Sequence, residues 1–147
     1  MKPTDLFTDL NDFQEYTAGL TADTTYAQLG PSITTVVNAT VLPMVTAQVY
    51  IALAQATGPQ DGDSEEQQAV KTAALEGKEL LKTAVAAGAM LQYQIFASVK
   101  KNGSEGSLYK YQHEEIKDHY REALWGAMDR LLELLDANPD IGEYKET

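Results

Sequence analysis

TTYAQLGPSITTVVNATVLPMVTAQVYIALAQATGPQ, residues 24–60, contains no Asp, Glu, Lys, Arg or His, in a chain of 147 residues with a formal net charge of −11. Whether water, lipid or protein surrounds it decides the fold. Ile33, Val36, Val37, Thr40, Val41, Met44 and Val45 recur at helical spacing. Gly30-Pro31-Ser32 reads as a helix start, because proline is tolerated in a first turn. Pro43 lies inside the periodic pattern and is expected to kink or break it.

The run exceeds the roughly 20 residues that a bilayer crossing needs. Thr34, Thr35, Asn38, Thr40, Thr46, Gln48, Gln55 and Thr57 are a heavy polar load for hydrocarbon, and no flanking Lys or Arg sets a topology. The expectation is therefore no membrane span. A solvated helix face normally carries charge, so the pattern implies a helix covered by protein on most sides. One small domain seldom supplies that much cover, whereas neighbouring subunits can.

The outward pass gives an all-α fold: one domain over residues 1–147, a small bundle of about four helices with the second kinked. Thr8, with Asp9 and Asp12 near the positive end of the helix dipole, starts a short helix over 8–18, which Gly19 stops. The kinked helix spans 24–57 and a Gly/Pro-rich loop spans 58–64. Ser64 and Gln67 have the spacing of a capping box ahead of a long helix over 65–97. Asn102-Gly103 marks a turn or hairpin over 98–107, in which residues 95–99 and 108–111 either pair as strands, giving a short β-hairpin near 96–111, or simply flank a loop. A C-terminal helix over 108–137 carries Leu108, Tyr111, Ile116, Tyr120, Leu124, Ala127, Met128, Leu131, Leu134 and Leu135 mostly at three- and four-residue steps. Ser107 caps it, Asn138-Pro139 closes it, and a tail covers 138–147.

With 44% hydrophobic residues the chain can fill one ordinary core, and a domain of this size buries roughly 68–70% of its unfolded surface. It has no cysteine, which excludes disulfides and thiolate chemistry and fits a reducing cytoplasm. Met1-Lys2-Pro3-Thr4-Asp5 lacks a basic segment followed by an apolar run, so no secretory leader is expected there. The acidic balance opposes binding to phosphate backbones. It suits a soluble protein, or one past which nucleic acid slides without being held.

Ala73, Gly77, Ala84 and Gly88 form a stripe of small residues along the long helix. Glycine inside a helix costs about 1 kcal/mol relative to alanine, so two on one stripe imply a close approach. Either a seam within the chain or a contact between subunits accounts for it. Tyr109 and Tyr111 stand at an element boundary, where aromatics anchor interfaces or fill cores. Trp125, the only tryptophan, lies beside the apolar stripe of the last helix. If buried, its truncation to alanine costs roughly 3–5 kcal/mol.

Chemistry finds little footing. On a helix His113 and His119 point about 240° apart and do not share an ion. Glu115 is followed three residues later by Asp118, not by the His of a di-iron helix, and Glu115 with His119 at i, i+4 reads as a surface pair. No nucleophile elbow or phosphate loop occurs. The 22 acids offer many pairings for two-carboxylate hydrolysis, but most fall at helix starts or on solvated faces. Lys110, Lys117 and Arg121 interleave with acids as an exposed, salt-bridged face. No enzyme activity, cofactor, metal or small-molecule substrate is expected.

Tyr109-Lys110-Tyr111-Gln112-His113-Glu114 opens the last helix. Residues 129–138 carry an Asp-x-Leu-Leu-x-x-Leu-x-x-Asn run, and Tyr144-Lys145-Glu146-Thr147 ends the chain. On these features the sequence resembles an uncharacterised protein family encoded by tailed phages and prophages of Bacteroides-type gut bacteria. The likeness is sharp over the last forty or so residues and extends to a proline-interrupted helix reaching Val49-Tyr50-Ile51-Ala52-Leu53. His113 and an alanine-richer third helix depart from it. The resemblance implies a virion structural protein assembled in the host cytoplasm, a head–tail connector or adaptor subunit. Its implied partners are further copies in a ring and portal or tail components, with DNA passing unbound and no catalytic residues to carry over. Two other classes are an acidic DNA mimic that blocks a host factor, which the charge-free stretch opposes, and a helical muramidase working through two acids.

Overall fold

The capping box forms at Ser64. In the computed structural model, which describes residues 3–16, 26–100, 110–138 and 141, the Ser64 N–H donates to Gln67 Oε1 at 3.0 Å and the Gln67 N–H donates to Ser64 Oγ at 3.2 Å. Two backbone donors that a helix start leaves orphaned are thereby satisfied reciprocally. The described residues are all-α and contain no strand. Their helices are α1 (Leu10–Gln14), α2 (Tyr26–Val36), α3 (Leu42–Ala54), α4 (Glu65–Lys100) and α5 (Lys110–Ala137). A 3-10 turn, Pro3–Leu6, precedes α1, and a single π-helical turn, Val37–Val41, joins α2 to α3.

Several local expectations are corrected. The cap of α1 is Asp9, whose Oδ1 accepts the Asp12 N–H at 2.9 Å, and α1 ends at Gln14. Thr8 plays a different part: its N–H donates to Asp12 Oδ2 at 2.9 Å. Pro31 does not start α2 but lies inside it. The kink expected at Pro43 is present: Pro43 falls in the first turn of α3, directly after the π-turn Val37–Val41, so the helix is distorted there without being ended. A second discontinuity sits three residues later at Thr46, whose φ of 74° and ψ of 157° lie outside helical space. A β-branched residue there stores roughly 1–3 kcal/mol of strain.

Residues 95–99 are helical, not strand, because α4 runs on to Lys100. Extending an existing helix adds one hydrogen bond per ordered residue, whereas an isolated two-stranded hairpin is marginal in water. The Asn102-Gly103 turn, Ser107, Leu108 and Tyr109 lie outside the described residues.

α4 is the spine of the bundle. A Cβ placed on Gly77 would meet Leu53 of α3 at 2.7 Å and Leu134 of α5 at 3.2 Å, and one on Gly88 would meet Val36 of α2 at 2.7 Å. Position 36 thus faces 88 and position 53 faces 77, so the α2–α3 unit runs antiparallel to α4. The core is apolar side chains from all of these helices, among them Leu29, Ile33, Leu53, Leu81, Met90, Met128, Leu131 and Leu135, each fully buried. Leu6, Phe7 and Phe13 of the N-terminal segment are buried too. Phe7 stacks edge-on against Phe13 at 5.0 Å between centroids.

Candidate functional site

The small-residue stripe is occupied from within the chain. Gly77, Ala84 and Gly88 are buried, Ala73 is half-buried, and the atoms nearest the two glycines belong to α2, α3 and α5. Of the two accounts the stripe allows, the structure displays the close seam inside one chain. Tyr109 lies outside the described residues, and the backbone places Tyr111 in the first turn of α5. Trp125 is not buried: it is 46% exposed, so the large truncation cost conditional on its burial does not apply. The reason is angular. Tyr120, Leu124, Ala127, Met128, Leu131 and Leu135 form the buried face of α5, and Trp125 stands one residue, about 100°, past Leu124.

His119 is exposed and lies edge-on to Tyr120 at 5.5 Å. Glu115 is exposed as well. Arg121 reaches Asp118 at 2.7 Å and Lys117 reaches Glu114 at 3.7 Å, both as i, i+3 pairs on the outside of α5. Among the described residues no group of three or more His, Asp or Glu side chains is placed to hold a metal ion.

Two surfaces remain. The first is the outer face of the charge-free unit. Ile33, Val36, Val37, Val41, Val45, Val49 and Leu53 turn inward and are buried. Thr35, Asn38, Ala39, Pro43, Ala47, Gln48 and Ile51 face outward and are exposed. In the single chain this helix therefore has one covered face, not cover on most sides, and its bare face carries neutral amides, hydroxyls and small apolar groups. By length and composition alone Tyr26–Ala54 is apolar enough to cross a membrane. Its inner face packs on α4, and its backbone is interrupted at Thr46.

The second surface lies between α4 and α5. A groove of about 320 Å³ is lined by Leu80, Thr83, Glu122, Ala123, Gly126, Ala127 and Arg130. A second hollow of about 330 Å³, lined by Asp118, Arg121, Glu122 and Trp125, shares Glu122 with it.

One polar cluster was not singled out in the sequence. Lys82 of α4 is buried, with its Nζ 2.9 Å from each Asp12 carboxylate oxygen. It also lies over the rings of Phe7 and Tyr16, at 5.4 and 4.9 Å from their centroids. Tyr16 donates to Glu79 at 2.6 Å. Burial alone pushes the Asp12 carboxyl up, but the Lys82 hydrogen bond, the Thr8 N–H and the Lys82 charge outweigh it and hold it below its ordinary 3.8. Burial and then the Glu79 carboxylate raise the Tyr16 hydroxyl well above its usual range. The available signal was Lys82 standing alone in the apolar run from Leu80 to Met90. A lysine there is buried and needs an acid from elsewhere. The cluster clamps the N-terminal segment to the bundle.

No family model matches the chain, and neither a curated protein nor a solved structure matches it.

Proposed function

We propose that this chain works by assembly and not by catalysis, as a structural subunit of a tailed-phage virion in the head–tail connector class. One observation carries the reading: the exposed outer face of α2 and α3 holds no charged residue on a protein of net charge −11. Solvated surface of that extent is normally charged. Its bare neutrality is accounted for if other protein covers it in the working state. The phage context rests on the resemblance of residues 106–147 and extends the partners from further copies in a ring to portal and tail components. The acidic remainder of the surface suits a channel through which DNA moves without being retained.

Mass measurement and negative-stain imaging of the purified chain, alone and mixed with portal protein, test this. Rings of many copies are the expected result. A monomer at every concentration that also ignores portal and tail components sinks the proposal. Flotation of the intact chain with vesicles would replace it by insertion of Tyr26–Ala54 into lipid.

A further inference from the structure

We infer that the two adjoining hollows that share Glu122, one between α4 and α5 and one beside Trp125 on α5, form a single groove that is the receiving half of the contact between copies, and that its occupant is the outer α2–α3 face of the next copy. The inference rests on the assembly reading and gives it a geometry. A closed ring of more than two copies is built from heterologous contacts, so each copy must present two different patches that fit one another. The charge-free face supplies one of them, and the second must accept a neutral, small-residue helix surface.

The groove meets that demand in three ways. Its floor is open: a Cβ on Gly126 would meet nothing within 4 Å, so a neighbouring helix can come close. Its rim is electrically balanced, with Asp118 and Glu122 against Arg121 and Arg130, and Arg121 already reaches Asp118 at 2.7 Å. A locally neutral rim on a chain of net charge −11 is a place where two copies can meet without the repulsion felt elsewhere. Its adjoining hollow is lined by Trp125, 46% exposed, and a rigid aromatic with an apolar body and one N–H donor is the residue type most enriched at the energetic centres of interfaces. Ile51, 43% exposed on α3, is the apolar group on the opposing face that can fill the groove.

Trp125 is the only tryptophan in the chain, so its fluorescence reports this groove alone. As the protein is concentrated into its assembled form, the emission should move to the blue and become shielded from iodide. Gly126→Glu places a charge in the open floor without a clash, and Ala47→Glu places one on the opposing face. Each should weaken association roughly tenfold or more without lowering the melting temperature of the dilute chain appreciably, and Gly126→Glu should raise it, because glycine inside α5 costs about 1 kcal/mol of helix propensity. Gly126→Lys mixed with Ala47→Glu should recover association that neither shows alone, because the two charges then meet across the contact. Assembly with an unshifted Trp125 emission and an indifferent Gly126→Glu variant overturns the groove assignment and leaves the assembly reading standing. Absence of assembly under any condition overturns both.

Discussion

Lys82 on α4 holds Asp12 with its Nζ 2.9 Å from both carboxylate oxygens, and the same ammonium lies over the aromatic rings of Phe7 and Tyr16. The side chains retain only 9% and 17% of their exposure, so water does little to screen them. The net worth of such a pair is small, but breaking it strands a charge. Asp12→Asn should cost about 3 kcal/mol in urea unfolding. Adding Lys82→Met should recover most of that loss, because no charge is then left to desolvate. A double variant as unstable as the sum of its two single variants would mean that the residues act independently.

The same pair sets an acid limb. Asp12 titrates below its ordinary 3.8 in the folded chain, so its contribution is fully present above about pH 4 and is lost as pH falls through the lower folded value. Thermal melts from pH 5 down to pH 2 should show the wild type losing stability more steeply than Lys82→Met, in which the partner that depresses Asp12 is gone. Equal slopes would remove Lys82 as the cause.

The two glycines of the α4 stripe should respond differently to alanine. Both gain about 1 kcal/mol of helix propensity. At Gly77 the new Cβ presses first on Leu53 Cδ2, the far end of a flexible side chain. At Gly88 it meets both methyls of Val36, at 2.7 and 3.0 Å, and valine in a helix has one strongly preferred rotamer. Gly77→Ala should fall within about 1 kcal/mol of wild type, and Gly88→Ala should lose roughly 1–3 kcal/mol. Calorimetric melting temperatures in the reverse order would place the tight approach at Gly77.

How far the sequence disclosed this follows from the range of each signal. The capping pair Ser64–Gln67, the Asn138 terminus and the stripe of α5 depend on contacts three and four residues apart, and the sequence displays such spacings directly. The helical state of residues 95–99 was obscured by Asn102-Gly103, a local hairpin signal that carries no information about how far α4 has already propagated. In the sequence Pro31 reads as a start and Pro43 as a kink or break. Their effect depends on which turn they occupy, and the π-turn between α2 and α3 fixes that. The exposure of Trp125 hangs on a rotation of about 100° about α5, finer than a periodic pattern resolves when Leu124 stands beside it. The Lys82–Asp12 clamp joins residues seventy positions apart, and only the folded chain brings them together.

Tyr50 is 5% exposed, and among the described residues its hydroxyl has no hydrogen-bond partner. Burial, then the neighbouring Tyr26 and Asp5, push its pKa to about 12, so the folded chain keeps the phenol neutral where the unfolded chain would ionise it near 10. A raised acid pKa favours the folded state below the unfolded value and withdraws that support as pH climbs, here between pH 10 and about 12. Removing a buried hydroxyl that has no partner abolishes a desolvation cost and forfeits no bond. Tyr50→Phe should therefore match or exceed the wild type by up to about 1 kcal/mol at neutral pH and lose less stability above pH 10. Tyrosinate absorbance followed through an alkaline titration would show one fewer phenol whose ionisation waits for unfolding. A loss of more than about 1 kcal/mol in Tyr50→Phe, the cost of a typical hydrogen bond, would mean that this hydroxyl is held by a partner after all.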